Sequence, residues 1–362
     1  MPSENRIKVC LVAISLSRGG AERSTAILSQ MLDMKGYEVH TVILNNSIDY
    51  DYSGELFNLG ENKSEEDSFS NRLSRFRKLR KYLKAQNFDF IIDNRTRPSA
   101  SKELFYLNYV YKGFRIIYVV RSANLDMYLP NNKWVANQMI GQSHKIVGVS
   151  KHISETINTQ FSSTKAVTIY NPMMVFSSKE MKSSEKYIIF VGRLEDDVKN
   201  ISLLLEGYSE SILRDRDIRL KILGDGEDLE SLKRKAKSLR IENHVDFVAF
   251  QEDVYSFIKN ALYTVLTSKF EGFPRVLIES LSAGTPVVSV DCVSGPNEIV
   301  VDEKNGLLIE NHNPQALAEA MNRMVLEPEL YERCKANSKD SVSYLSLDTI
   351  AEEWNKLLQN NE

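Results

Sequence analysis

The stretch that most constrains this chain runs from Leu262 to Val290. Leu262-Tyr263-Thr264-Val265-Leu266-Thr267 is a short apolar run, and Pro286 to Val290 is another, so both read as buried strands. Between them Pro274 suits the first turn of a helix, where its missing N–H costs nothing. Val276, Leu277, Ser280, Leu281 and Ala283 follow at helical spacing, and Gly284 ends the run. The unit is therefore strand, glycine-containing loop, helix, strand.

In such a unit the helix N-terminus presents N–H groups and the positive end of its dipole. Glu271 precedes that terminus, and Glu279 lies inside the helix. A carboxylate beside an anion-binding turn calls for a ligand carrying hydroxyls, because an oxyanion there would repel it. Phosphate held by N–H groups and hydroxyls held by carboxylates describe a sugar nucleotide. An ordinary capped helix is the alternative reading of this stretch alone.

The start of the chain repeats the pattern. Ile7 to Ser15 is strand-like, Gly19-Gly20-Ala21-Glu22-Arg23 opens a helix to about Met34, and Val39 to Leu44 is a second strand. This opening predicts an α/β fold with a doubly wound parallel sheet. The glycine pair allows backbone to approach a ligand, but the Gly-x-Gly-x-x-Gly spacing of the dinucleotide fingerprint is absent. A chain of 362 residues accommodates two such domains, each with its own core. A net charge of −3 argues against a general nucleic-acid binder. Cys10, Cys292 and Cys334 lie far apart, without metal or pairing spacing, so a reducing cytoplasm is the expectation. The apolar run after Arg6 and Lys8 lacks a cleavage site and reads as the first strand, not a signal peptide. No run is long enough to span a bilayer, so any meeting with a membrane is at its surface.

Residues Asn46 to Ser70 are polar and aperiodic and read as an exposed loop. Arg72 to Lys84 then forms a basic amphipathic helix. Leu73, Phe76, Leu79 and Leu83 make its apolar stripe, and Arg72, Arg75, Arg77, Lys78, Arg80, Lys81 and Lys84 crowd the rest. A solvated face of a domain helix is the structural reading. A surface for anionic lipid or a diphosphate-bearing acceptor is the functional one. Phe88 to Asp93, Arg115 to Val120 and Lys145 to Ser150 are further strands, and Arg121 follows the second of them. Phe176 to Lys186, rich in Ser and Lys, reads as the linker.

The second half opens with the strand Tyr187 to Val191, then Gly192-Arg193 and, six residues after Arg193, Lys199 before a helix. This places two cations at the sheet's carboxyl end, where ligands of doubly wound sheets sit. A guanidinium fork and an ammonium there can neutralise a diphosphate. A strand and turn at Arg219 to Gly226, another at Val245 to Gln251, a last strand at Gly306 to Ile309 and a helix from Thr349 to Leu358 complete the pattern.

The run Glu271-Gly272-Phe273-Pro274-Arg275-Val276-Leu277-Ile278-Glu279, followed by Ala283-Gly284-Thr285-Pro286-Val287-Val288, resembles the Glu-(seven residues)-Glu signature of retaining glycosyltransferases of family four. The resemblance covers nearly the whole chain and is strongest in its second half. It implies the GT-B fold, in which two Rossmann-like doubly wound parallel-sheet domains face a deep cleft. The expected layout is an N-terminal acceptor-side domain over 1–175, a nucleotide-sugar domain over 187–344, and a tail helix over 345–362 that packs back on the first domain. By resemblance Arg193 and Lys199 would neutralise the donor's diphosphate, Glu271 would orient the sugar hydroxyls, and Glu279 would hold the ribose. Gly19, Gly20, Arg121, Gly192, Gly224, Phe250, Gly272, Phe273, Pro274, Arg275 and Leu277 would complete the donor site. The helix cations Arg72, Arg75, Arg77, Lys78, Arg80 and Lys81 would meet the acceptor or an anionic membrane.

The implied reaction moves a hexose or N-acetylhexosamine from a UDP-sugar, without metal or other cofactor, to a lipid-linked or surface glycan at the inner face of the cytoplasmic membrane. Its partners would be that nucleotide-sugar donor and a glycan or lipid-diphosphate-glycan acceptor, with no nucleic acid. Two departures bear on specificity. Arg121 stands where many family members carry histidine, and Phe250-Gln251 where glycine is common. A metal-dependent GT-A enzyme would need an Asp-x-Asp after a strand; Asp49-Tyr50-Asp51 and Asp215-Arg216-Asp217 lack that setting. A GT-B epimerase would have no use for the basic helix, and a non-catalytic binding subunit would have lost Arg193, Lys199, Glu271 or Glu279.

Overall fold

Short apolar runs bounded by polar turns form two wholly parallel sheets, each buried on both faces, which is why the strands read as continuous apolar segments. The computed structural model describes residues 6–17, 19–61, 63, 69–174, 185–251 and 253–360. The chain divides into two units, Met1–Asn171 with Leu347–Glu362, and Pro172–Ser346.

In the first unit the strands are β1 (Lys8–Ala13), β2 (Glu38–Ile43), β3 (Glu55–Asn58), β4 (Phe90–Asp93), β5 (Arg115–Val120), β6 (Lys145–Gly148) and β7 (Ala166–Thr168), in the order β3-β2-β1-β4-β5-β6-β7. The winding reverses between β1 and β4. The helix Leu347–Gln359 buries Ile350, Ala351, Trp354 and Leu358 and packs on the helix Gly20–Met34. Lys35 pairs with Glu352 at 2.8 Å, and the Tyr37 hydroxyl donates to Asn355 Oδ1 at 2.7 Å beside that contact.

In the second unit β8 (Tyr187–Val191), β9 (Arg219–Leu223), β10 (Val245–Val248), β11 (Thr264–Leu266), β12 (Val287–Asp291) and β13 (Gly306–Glu310) take the order β10-β9-β8-β11-β12-β13. Here the reversal falls between β8 and β11. The core on one face gathers Ile188, Phe190, Leu204, Ile222, Val265 and Val288. Both sheets are the doubly wound type that the opening βαβ unit predicts.

Two expectations are corrected. The supposed loop from Asn46 to Ser70 contains β3, which pairs in parallel with β2 from His40↔Glu55 to Ile43↔Asn58. Four residues are too few to show a period, and the strand is held by side chains from elsewhere: Phe57 stacks on Tyr82 with ring centroids 4.0 Å apart. Pro274 is the N-cap (φ −68°, ψ 106°) and the helix runs Arg275–Ala283, one residue later than the sequence suggests. Arg18, residues 62 and 64–68 of the polar stretch, residue 175, and 176–184 of the expected linker lie outside the described residues. Among the described residues no helix is long and apolar enough to cross a membrane.

Candidate functional site

The second unit's site grows from the two loops that flank its winding reversal. After β8 the chain makes a short turn, Asp196–Lys199, and Asn200 then takes a left-handed conformation (φ 50°) before the helix Ile201–Glu210. Asparagine tolerates that conformation better than most residues. The Asp196 carboxylate accepts from Ser202 N at 2.7 Å and Ser202 Oγ at 2.6 Å, capping the helix that follows. The Lys199 backbone is held on both sides, its N–H by Glu195 O at 2.8 Å and its carbonyl by Thr267 Oγ1 at 3.0 Å.

After β11 the second loop delivers Glu271. Its N–H donates to Val293 O at 3.2 Å, and its Oε1 accepts from Lys199 Nζ at 2.6 Å and Ser268 Oγ at 2.7 Å. The Lys199 and Glu271 side chains are 19% and 13% exposed, so the pair is largely shielded from water. Ser268, which the sequence reading does not single out, is fully buried, and its carbonyl accepts from Asn311 Nδ2 at 3.2 Å. Behind the carboxylate, burial and the charge of Glu271 push the Cys292 thiol up to about 12. Cys292 is therefore a neutral packing residue, not a nucleophile.

The glycines fix how closely these loops approach. Gly224 has φ +147°, and a Cβ there would overlap the Gly192 carbonyl oxygen, so the turns after β8 and β9 touch through bare backbone. Below the second loop, Ser294 Oγ donates to Gly272 O at 2.8 Å, and Gly295 (φ +98°) lies against Pro274 and Gly272. The N-cap residue of the Arg275–Ala283 helix, Pro274, has no side-chain group to cap it. Arg275 and Glu279, one turn apart on it, approach to 3.7 Å. Phe273 and Leu277 are packed into the core, 4% and 0% exposed. Arg193 is 67% exposed and pairs with Glu195 at 2.8 Å. Phe250 is exposed, its N–H donating to Asp225 Oδ2 at 3.3 Å.

The first unit carries its own convergence at the reversal between β1 and β4. Arg121, just after β5, donates through Nη2 to Asn94 Oδ1 at 2.9 Å and through Nη1 to Asn171 Oδ1 at 3.0 Å. Gly19 and Gly20 open the first helix nearby in sequence. The Gly19 N–H donates to the Tyr50 hydroxyl at 3.4 Å, and a Cβ on Gly20 would meet nothing within 4 Å. Beneath the β4 loop lies a buried ionic network that the sequence reading passes over. Arg95 binds Asp93 through Nε at 3.0 Å and Nη2 at 2.7 Å, and Glu103 through Nη2 at 3.1 Å, and lies 3.7 Å above the Tyr106 ring. Arg97 donates to the carbonyls of Asp93, Arg95, Val119 and Tyr128. Charged residues crowded directly after an apolar strand, Asp93-Asn94-Arg95-Thr96-Arg97, were the available signal.

The basic helix spans Phe69–Gln86. Leu79 and Leu83 are buried, while Leu73 and Phe76 are half-buried at the edge of a groove of about 1180 Å³. Leu44, Leu59, Phe105 and Tyr106 line it with apolar surface, and Lys63, Arg72, Arg75 and Lys102 with charge. Burial, then the charge of Arg95, lowers the Lys102 pKa. Arg77, Lys78 and Lys81 face solvent. Arg80 instead donates to Val110 O at 2.9 Å and Lys112 O at 2.7 Å, closing the turn after Tyr106–Val110.

The family described as Glycosyltransferase Family 4 matches residues 18–173, and Glycosyl transferases group 1 matches 175–341. Over 371 residues, covering 97% of this chain and 99% of the relative, the sequence is 27% identical to the N-acetylgalactosamine-N,N'-diacetylbacillosaminyl-diphospho-undecaprenol 4-alpha-N-acetylgalactosaminyltransferase of Campylobacter jejuni. Its fold is similar to that of S. aureus TarM, solved with UDP and alpha-GlcNAc-glycerol, at a TM-score of 0.80 and 14% identity, covering 98% of this chain and 100% of that one. It is similar too to the lipopolysaccharide outer core galactosyltransferase WaaB (TM-score 0.70, 21% identity, 97% and 99% covered). With both halves matched in sequence and both sheets in fold, the chain belongs to the GT-B glycosyltransferases of family 4, group 1.

Proposed function

We propose that this glycosyltransferase moves a hexose or N-acetylhexosamine from a UDP-sugar to a lipid-linked or surface glycan, with retention and without metal, at the cytoplasmic face of a membrane. The observation that carries the reading is the Lys199–Glu271 pair at the reversal between β8 and β11. It sets a cation for a diphosphate and a carboxylate for hydroxyls at the edge where such sheets take their ligands. In the reaction the bond from the anomeric carbon to the β-phosphate oxygen breaks and the acceptor oxygen bonds to that carbon. The acceptor's proton passes to the departing diphosphate. Lys199, with Arg193, stabilises the charge that develops on the leaving group, an electrostatic role for groups already in place. Glu271 holds the sugar hydroxyls, and Glu279 the ribose. The uridine base is the choice of the family resemblance.

The acceptor reading rests on the groove beside the basic helix. Apolar walls with a cationic rim suit a diphosphate on an apolar chain, and the Campylobacter relative is named for a diphospho-undecaprenol substrate.

The test is release of nucleotide from a panel of UDP-, GDP- and ADP-sugars in EDTA, with and without an undecaprenyl-diphosphate-linked saccharide. Transfer from one UDP-sugar is the expected result. Reversing charge at Arg75, Arg77 and Lys78 should then slow transfer to the lipid-linked saccharide and leave acceptor-free hydrolysis unchanged. Protein that binds none of the nucleotides would overturn the donor assignment.

A further inference from the structure

Asn94 is the first residue after β4, where β4 lies beside β1 and the winding reverses. Its N–H donates to Val12 O at 2.9 Å. Its sequence neighbours Asp93 and Arg95 are locked together by the buried ionic network, so this turn is held from both sides. Asn94 is 5% exposed, and its Oδ1 accepts from Arg121 Nη2 at 2.9 Å. A guanidinium carries donors only, so the amide oxygen must be the atom that faces it. That fixes Nδ2 on the far side. There it is buried, with no hydrogen-bond partner among the described residues. Buried donors are paired in nearly every native protein, and an orphan at a ligand-binding edge asks for an acceptor.

We propose that Asn94 is both a positioning residue and a carbohydrate ligand. Its Oδ1 holds Arg121 at the sheet edge, and its Nδ2–H donates to a hydroxyl or acetamido carbonyl oxygen of a sugar bound there. Asn171 Oδ1, 3.0 Å from Arg121 Nη1, completes the clamp. A single neutral N–H is a matched donor for such an oxygen, whereas a phosphate draws charged donors. The inference rests on the transferase function proposed above.

Asn94→Asp keeps an oxygen for Arg121 and replaces the N–H with a second acceptor; Asn94→Ala removes both. The measurement is transfer from the UDP-sugar that the wild type uses, together with UDP affinity and melting temperature. Asn94→Asp should melt at or above the wild type, bind UDP within about twofold, and lose at least about tenfold in kcat/KM. Asn94→Ala should lose as much. A loss that also appears in acceptor-free UDP release assigns the oxygen to the donor's sugar. A loss confined to the acceptor KM assigns it to the acceptor glycan. Wild-type kcat/KM in Asn94→Asp overturns the inference and leaves the proposed function standing. A wild type that binds no nucleotide sugar overturns both.

Discussion

Lys199 Nζ stands 2.6 Å from Glu271 Oε1, joining the loop that leaves β8 to the loop that leaves β11. The two residues are far apart in sequence, and only the parallel order of the sheet brings them together. The pair is partly shielded, and Ser268 shares the same carboxylate oxygen, so Glu271 is oriented before any ligand arrives.

Removing either partner should separate binding from turnover. Lys199→Ala should weaken UDP binding and lower kcat/KM about 100-fold, the scale of removing one preorganised charge-stabilising group. Glu271→Ala should lower kcat comparably while leaving UDP affinity near the wild-type value. In a double-mutant cycle on stability the coupling should be only about 1 kcal/mol. Equal loss of UDP affinity in both variants would merge the two roles.

The glycines divide by what surrounds them. Gly224→Ala forces a Cβ into the Gly192 carbonyl at φ +147° and should cost about 2–3 kcal/mol. Gly20→Ala, at the start of a helix with open space around it, should be neutral or stabilising by up to about 1 kcal/mol. Turnover in Gly20→Ala should still fall about tenfold if backbone there approaches the donor, since the barrier need rise by only about 1.4 kcal/mol. Urea midpoints and kcat/KM together check this, and wild-type kcat/KM in Gly20→Ala would remove that loop from the site.

The buried network sets the response to acid. Burial acts to raise Asp93, but Arg95 and Arg97 outweigh it and hold the carboxyl below its usual range. Its folded value lies below the unfolded one, so its contribution is present above about pH 4 and is lost as acid drives it through the lowered folded value. Glu103 runs the other way. Burial raises it, so its contribution is greatest in acid and fades as pH climbs through the raised value. Arg95→Met should cost about 3–5 kcal/mol near neutral pH by leaving Asp93 and Glu103 underpaired, and should shrink the acid loss by bringing the folded Asp93 value toward the unfolded one. Urea midpoints from pH 3 to 7 measure both, and an acid limb unchanged from wild type would place its origin outside this network.

The alternation of strand and helix was readable because both sheets are parallel and covered, which writes each strand as an apolar run. That Lys199 and Glu271 lie in loops leaving parallel strands was readable from the order of strand, loop and helix; that their side chains pair was not. β3 was not, since four residues carry no period and Phe57 is held by Tyr82 on another element. Ser268 and Asn94 were not, because short polar residues after a strand are the ordinary composition of a turn. Their significance lies in partners that only the fold supplies. Arg80 shows the converse: in sequence it is one more cation on a basic face, and in the structure it binds backbone carbonyls.

The first unit is sewn from two distant pieces of chain, the second inserted between them. On the ribosome, Pro172–Ser346 has been synthesised in full while the first unit still lacks the Leu347–Gln359 helix. Until Leu347–Gln359 emerges, the surface of the Gly20–Met34 helix against which it packs stays bare. A truncation before Leu347 therefore strikes the unit that was synthesised first, and spares the residues of the unit translated just before the cut.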